Sequence, residues 1–223
     1  MTSASEFARM AKALLGEPDV AETLSSICEF AVQALGCDHA GIHTVRNRLI
    51  ETGGATDPVV EHADKLQMAY DEGPCLDAVW THDTLLVHDI AVDERWPSFG
   101  PRAASLGLHG VLSIRLFTIR QTLGALNMYS EAVGAFGPDD IATAHILGKH
   151  ASVALASARK EQGLSRAVGS RHLLGQAQGV LMERFSVSER QAFAVLRRYS
   201  HQHDMKLTDV AQQVINTQRD AGR

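Results

Sequence analysis

The sequence predicts an α+β protein in two parts: an antiparallel sheet with covering helices, joined by a long helix to a small all-α unit of three helices. Three observations carry this reading. Residues 109–118 and 123–129 run apolar or alternate over strand lengths, close enough in sequence to pair as an antiparallel hairpin. Val20–Leu35 repeats its apolar residues at helical spacing, with Leu24, Ile27, Cys28, Ala31, Val32 and Leu35 on one face. After Gly163 only helical stripes remain, each too short to bury its apolar face alone, so they must pack on one another or on a partner chain.

Taken in order, residues 7–15 have helical periodicity, and the turn from Gly16 to Asp19 leads into Val20–Leu35. Asp19 serves as N-cap there and Gly36 as the stop. Residues 39–45 and 48–52 read as strands around a polar Arg46-Asn47 turn, closed by Gly53-Gly54. A helix is expected at 58–68, then a loop through Asp71 that enters another helix with Pro74 in its first turn. Thr84–Val87 is a strand, and a segment starting at Arg95 leads to a helix at 102–106. Gln121 lies in the turn between the last two strands.

From Asp139 onward no proline interrupts the chain. A helix from Asp139 to Phe185 would span roughly 70 Å at 1.5 Å per residue, with Gly163 and Gly169 marking a bend or hinge. Its stripe of Ala144, Leu147, Ala151, Ala154, Leu155 and Ala158 suits close approach of two helices, which predicts a parallel homodimer centred on residues 139–158. The expected domains are 1–160 and 170–219, with 161–169 as hinge or continuous helical linker. In the second, the stripes are Leu174, Ala177, Leu181 and Phe185, then Ala192, Phe193, Leu196 and Tyr199, then Leu207, Val210, Ala211, Val214 and Ile215. Ser188, three residues before Gln191, can form a capping box.

Charge divides the chain at the same place. Residues 1–163 hold 12 Lys and Arg against 21 Asp and Glu, a net −9, whereas 164–223 hold 9 against 5, a net +4. Only the end is suited to a polyanion. Arg190, Arg197 and His201 fall on one helical face with Arg198 beside them, and Arg171 and Arg184 can extend the patch. No apolar run is long enough to span a membrane and Met1 to Met10 lacks signal-peptide character, so a cytoplasmic protein is expected. The odd three cysteines, Cys28, Cys37 and Cys75, lack zinc-ligand spacing, and the scattered histidines form no metal motif. No nucleotide-phosphate loop is present, and the sequence leaves the cofactor unknown. Haem ligation by His109 or His88 is weaker still.

The tail resembles the ANTAR domain, an RNA-binding output module of bacterial antiterminators. The residues are Gln176-Ala177-x-Gly179-Val180-Leu181-Met182, Ala192-Phe193-x-x-Leu196-Arg197 and Lys206-Leu207-x-Asp209-Val210-Ala211. Where the family has Lys, this chain has Gln178, which removes one expected cationic contact. The resemblance implies binding of tandem RNA hairpins in nascent transcripts. Arg171, Gln178, Arg184, Arg190, Arg197, Arg198, Tyr199 and Lys206 are the candidate contacts, with cations for phosphate and Tyr199 for stacking.

Residues 5–160 resemble a GAF domain through the Asp71-Glu-Gly-Pro-Cys75 turn, Leu123-Gly124-Ala125-Leu126-Asn127-Met128-Tyr129 and Phe136-Gly137-Pro138-Asp139-Asp140. The resemblance implies a small-molecule sensor whose pocket residues would be Met68, Tyr70, Cys75, Trp96, Phe99, His109 and Tyr129. The reading is a non-enzymatic regulator, a GAF sensor controlling an ANTAR output. Two alternatives stand beside it: a thiol-based redox enzyme or sensor using Cys75, which as a reductase needs Cys28 or Cys37 within disulfide reach, and a DNA-binding helix-turn-helix regulator.

Overall fold

The computed structural model describes residues 12, 19–46, 49–80 and 83–221, the last three by backbone alone. Apart from Lys12, the helix expected at 7–15 lies outside the described residues, as do the turn residues 16–18, Asn47 and Arg48. Helix α1 (Val20–Leu35) is capped as expected: the Asp19 carboxylate accepts the Val20 N–H at 2.8 Å, and Gly36 closes the helix at φ 65 with its N–H on Val32 O. Strands β1 (His39–Arg46) and β2 (Leu49–Ala55) follow. Gly53 and Gly54 do not close this unit, as the sequence suggests, but belong to β2. Their missing side chains let the strand run under α1, where a Cβ on Gly54 would meet the Leu24 Cβ at 3.3 Å.

Helix α2 (Pro58–Tyr70) starts at Asp57, whose side chain accepts the Val59 N–H at 2.8 Å, and ends at Asp71 in the left-handed region. It runs two residues past its expected end. Helix α3 (Pro74–Trp80), strand β3 (Thr84–Val87), a 3-10 turn (Ile90–Val92) and helix α4 (Gly100–Ser105) lead to β4 (Gly110–Thr118) and β5 (Gln121–Ser130). Gln121 opens β5 instead of lying in the turn, which shortens the hairpin connection to Ile119 and Arg120. The sheet has the order β2-β1-β5-β4-β3, with every neighbouring pair antiparallel.

Strand alternation gives the sheet two dry faces. One carries Ala40, Ile42, Leu112, Ile114, Leu116, Leu126 and Met128, covered by α1 and by the first part of α5 (Pro138–Phe185). The other carries Val45, Val111, Ala125 and Tyr129, covered by α2, α3 and α4. The small-residue stripe of α5 is not an open seam between two copies. Ala144, Leu147, Ala151, Ala154, Leu155 and Ala158 are all buried in the first face's core, because small side chains let the helix lie close against the sheet.

The contacts divide the chain into Met1–Lys160 and Glu161–Arg223. In the second unit α5 is helical through Gly169 to Phe185, followed by α6 (Glu189–Gln202) and α7 (Leu207–Ala221). Ser188 and Gln191 form the expected reciprocal capping box. The core consists of Ala177, Leu181, Ala192, Leu196, Val210, Ala211 and Ile215. Three expected core residues are instead at the surface: Phe185 is 61% exposed, Phe193 38% and Tyr199 43%. Small and aliphatic residues fill this core, and the aromatic rings lie at its edge.

Candidate functional site

The second face of the sheet holds a group of polar side chains inside an otherwise apolar core. His43 on β1 is fully buried, as are Ser113 on β4 and Asn127 on β5. Register places Asn127 directly opposite Ser113 on one side and Gly41 on the other. From above, α2 presents Val60, Ala63, Asp64 and Gln67, a helical face on which two of four residues are polar. Gly41 admits α2 at this point, since a Cβ there would press on the Val60 side chain. Cys75, in the first turn of α3, completes the group and is fully buried.

The hydrogen bonds fix the protonation of His43. Ser113 Oγ donates to Asn127 Oδ1 at 2.7 Å, and the Asn127 amide nitrogen faces His43 Nδ1 at 3.1 Å. An amide N–H only donates, so Nδ1 is the accepting nitrogen and the imidazole proton sits on Nε2. Nε2 lies 3.1 Å from Asp64 Oδ1, while Thr52 Oγ1 donates to Asp64 Oδ2 at 2.9 Å. The Cys75 thiol meets the same Nδ1 in a short contact. A thiol, an imidazole and a carboxylate are thus arranged in series, with Asn127 able to stabilise the ionised thiol.

Burial acts on all three groups toward their uncharged forms. It pushes Cys75 well above the ordinary thiol range, lowers His43 to about 4 and raises Asp64 to about 7. His43 Nε2 and Asp64 Oδ1 approach without a well-directed hydrogen bond, and the Tyr129 hydroxyl is buried against the Gln67 side chain. Burial raises the Tyr129 phenol too, with Asp64 and Cys75 acting in the same direction. Gln67 Oε1 accepts the Cys75 backbone N–H at 3.0 Å, tying α2 to the start of α3.

Of the seven residues expected to line a pocket, the fold gathers Cys75, Trp96, Phe99 and Tyr129 in this core. Trp96 Nε1 donates to Asp77 Oδ2 at 3.0 Å. Met68 and Tyr70, each 40% exposed, are on the outer side of α2, and the Arg102 guanidinium lies 4.5 Å over the Tyr70 ring. His109 is half-buried and pairs with Asp89 at 3.2 Å, away from the thiol. Cys28 and Cys37 lie in the apolar cluster on the opposite face of the sheet, so neither is a resolving partner for Cys75.

Sequence reasoning passed over His43, Asp64, Gln67 and Asn127. One signal was available in α2, where Asp64 and Gln67 recur at the spacing of Val60 and Ala63, polar residues on a face that must be buried. Among the described residues no group of three or more His, Cys, Asp or Glu side chains is placed to hold a metal.

The second unit carries its polar chemistry outside. Arg171, Arg184, Arg190, Arg197, Arg198, Tyr199 and Lys206 are all exposed. Arg197, Arg198 and His201 border one depression along α6 with Gln191, Val195 and Gln202. On another side a groove of ≈ 280 Å³ is lined by Arg184, Phe185, Tyr199 and apolar residues of α6 and α7. Tyr199 stacks at 4.1 Å on His203. Gln178 is half-buried, its amide donating to Glu189 O at 3.3 Å, which fixes the entry to α6. The uncharged residue at this position therefore has a structural partner.

A five-stranded antiparallel sheet sealed between helices, followed by a basic helical unit, defines an α+β domain joined to an all-α one. Residues 17–156 match the GAF domain family and residues 162–215 match the ANTAR domain family. The chain belongs to the GAF domain family and pairs that domain with an ANTAR domain. No curated protein matches it. Among solved structures it is similar to the GAF domain of a phosphoenolpyruvate-protein phosphotransferase from Coxiella burnetii, with TM-score 0.57, 16% identity, and 70% of this chain and 94% of that one covered. The corresponding Acinetobacter domain gives TM-score 0.54, 13% identity and coverage of 71% and 96%. Free methionine-R-sulfoxide reductase from Neisseria meningitidis, in complex with its substrate, gives 0.53, 18%, and 69% and 88%. At these identities the likeness is one of fold. Among the described residues no helix is long and apolar enough to cross a membrane.

Proposed function

We propose that this chain is an RNA-binding transcription antitermination regulator of the cytoplasm, not an enzyme, in which the GAF domain controls the ANTAR output. The observation that carries the reading is the cluster of Arg197, Arg198 and His201 on one side of α6, in a unit of net positive charge within an acidic chain. Cationic side chains contact phosphate, and Tyr199 and the exposed Phe185 offer rings for stacking unpaired bases. Arg171, Arg184, Arg190, Lys206 and the amide of Gln178 are the further contacts. A small molecule bound by the GAF domain, or a change in its core, would be the input. Two copies would pair to present tandem RNA sites. With the small-residue stripe occupied, the face for this is the exposed one bearing Ile146 and Val153, seven residues apart on α5.

The test is binding of the full chain to a tandem-hairpin RNA against a matched DNA duplex over a salt series. RNA-selective binding is expected, with Arg197→Ala and Arg198→Ala each lowering the slope of log affinity on log salt by about 0.7–1. Equal or preferential binding to the duplex would favour a DNA regulator instead, and an unchanged slope in both variants would remove α6 from the interface.

A further inference from the structure

We propose that Cys75 is a hydroperoxide-reactive thiol, activated by His43 and held inactive by closure of the core over it. This stands apart from the RNA reading and rests on the arrangement of the first unit alone. Three features distinguish Cys75 from a core cysteine. Its sulfur contacts the accepting nitrogen of an imidazole whose other nitrogen faces the Asp64 carboxylate. The Asn127 amide, held by Ser113, is positioned to donate to the thiolate once it forms. His43 Nε2 and Asp64 Oδ1, buried behind it and 3.1 Å apart, make no well-directed hydrogen bond, so the site has hydrogen-bonding capacity that the closed protein does not use. Cys28 and Cys37 have none of this, and Cys37 reaches only backbone carbonyls.

In the step itself, His43 Nδ1 takes the thiol proton and the thiolate attacks one oxygen of the peroxide. The O–O bond breaks as the S–O bond forms, and the departing hydroxide receives the proton from His43 and leaves as water. Sulfur is oxidised by two electrons to the sulfenic acid and the peroxide is reduced. The imidazolium formed in passing lies between the thiolate and Asp64, and above about pH 7, where Asp64 is ionised, its charge is paired on both sides. Asp64 acts only through His43 and is a positioning residue. With both other cysteines across the sheet, the product remains a sulfenic acid instead of closing an internal disulfide.

Access depends on the segment 71–73 in front of α3. It is held by the Glu72 carboxylate, which accepts the N–H groups of Ser98 and Phe99 at 2.7 and 2.9 Å, and by Gln67 beneath Gly73. A molecule as small as hydrogen peroxide needs only local loosening there. The added oxygen must then be housed at a sulfur already packed against His43, which would push this segment outward and give the domain two states.

The experiment treats the full-length protein with hydrogen peroxide in the presence of a sulfenic-acid trap and follows all three cysteines by peptide mass spectrometry. Cys28 and Cys37, buried in the apolar cluster on the opposite face with no imidazole beside them, are the internal controls. Cys75 is expected to label at least about tenfold faster than either, and His43→Gln to remove that advantage. Glu72→Ala should raise the Cys75 rate without labelling Cys28. Asp64→Asn should slow labelling and change its dependence on pH while Cys28 stays protected, a pattern that simple loosening would not produce. If Cys75 in the wild-type protein labels no faster than Cys28 and Cys37, it is an inert core thiol and the proposal fails. A His43→Gln protein that keeps Cys28 protected and oxidises Cys75 at the wild-type rate also overturns it.

Discussion

The two faces of the sheet are equally dry and differ in what their burial contains. Under α1 and α5 the core is hydrocarbon with two cysteines and the hydroxyls of Thr23 and Ser152, while under α2 and α3 the same depth holds His43, Asp64, Gln67, Asn127 and a third cysteine. Leu126 and Asn127 are neighbours on β5, one pointing into each core. An apolar face needs only volume and shape, and its contribution to stability is insensitive to pH. A polar one needs each group satisfied by another, so one protonation state is tied to the next. A structural scaffold and a responsive element can therefore share a sheet one strand thick.

The largest expected effect breaks the apolar side. Leu126→Ala should cost about 2–5 kcal/mol in denaturant-induced unfolding, through lost transfer energy and the cavity left behind. That loss should be the same at pH 5 and pH 8. A pH-dependent cost would mean that the two faces are coupled through the strand, and the comparison would lose its basis.

The next effect separates the charges of the polar side. Between pH of about 4 and 6.5 the wild-type His43–Asp64 pair binds one proton whether folded or unfolded, since each group's shift offsets the other's, and stability from this pair should be flat. Asp64→Asn leaves His43 held down to about 4 against an ordinary 6.5. The folded state then binds fewer protons, so stability should be full above 6.5 and fall as pH drops toward 4. His43→Gln leaves Asp64 at about 7 against an ordinary 3.8, and the sign reverses, with stability highest in acid and lost as pH rises through 7. Each slope should amount to roughly 3–4 kcal/mol across its window. Urea midpoints measured every half pH unit would show the two opposed slopes. Parallel slopes in the two variants would mean that the groups do not act as a pair.

How much of this was legible in the sequence follows the same division. Caps and periodic apolar faces act locally, so Asp19, Gly36 and Val20–Leu35 could be read off directly, as could Thr84–Val87 and the Ser188 capping box. Gly53 and Gly54 were misread because a glycine pair signals a turn as well as it signals a strand beneath a close-lying helix. The small stripe of α5 was misassigned to a dimer because sequence spacing shows that a face is buried, not against what. The basic residues of α6 were accessible to charge counting. The buried array was not, because it is assembled from β1, α2, α3, β4 and β5, segments up to 84 residues apart, as His43 and Asn127 are. Cys75 alone stood out, through its turn, while its partners looked like ordinary strand and helix residues.

The smallest effect sharpens the assignment of the array. Ser113→Ala removes only the hydroxyl that holds Asn127 Oδ1, and should cost about 1 kcal/mol. Its greater consequence is orientational. Without that partner the Asn127 amide loses an anchor and can turn, and presenting oxygen to His43 would call for a proton on Nδ1, which withdraws the accepting nitrogen from Cys75. Ser113→Ala should thus slow Cys75 labelling by peroxide severalfold while the urea midpoint hardly moves, a separation of reactivity from stability that no core residue of the opposite face can produce. The imidazole 15N shifts would report the tautomer directly. A proton on Nε2 in the wild-type protein and a mixture in the variant would confirm that a serine on β4 governs the thiol on α3. An unchanged tautomer would place that control with Asp64 and Thr52 instead.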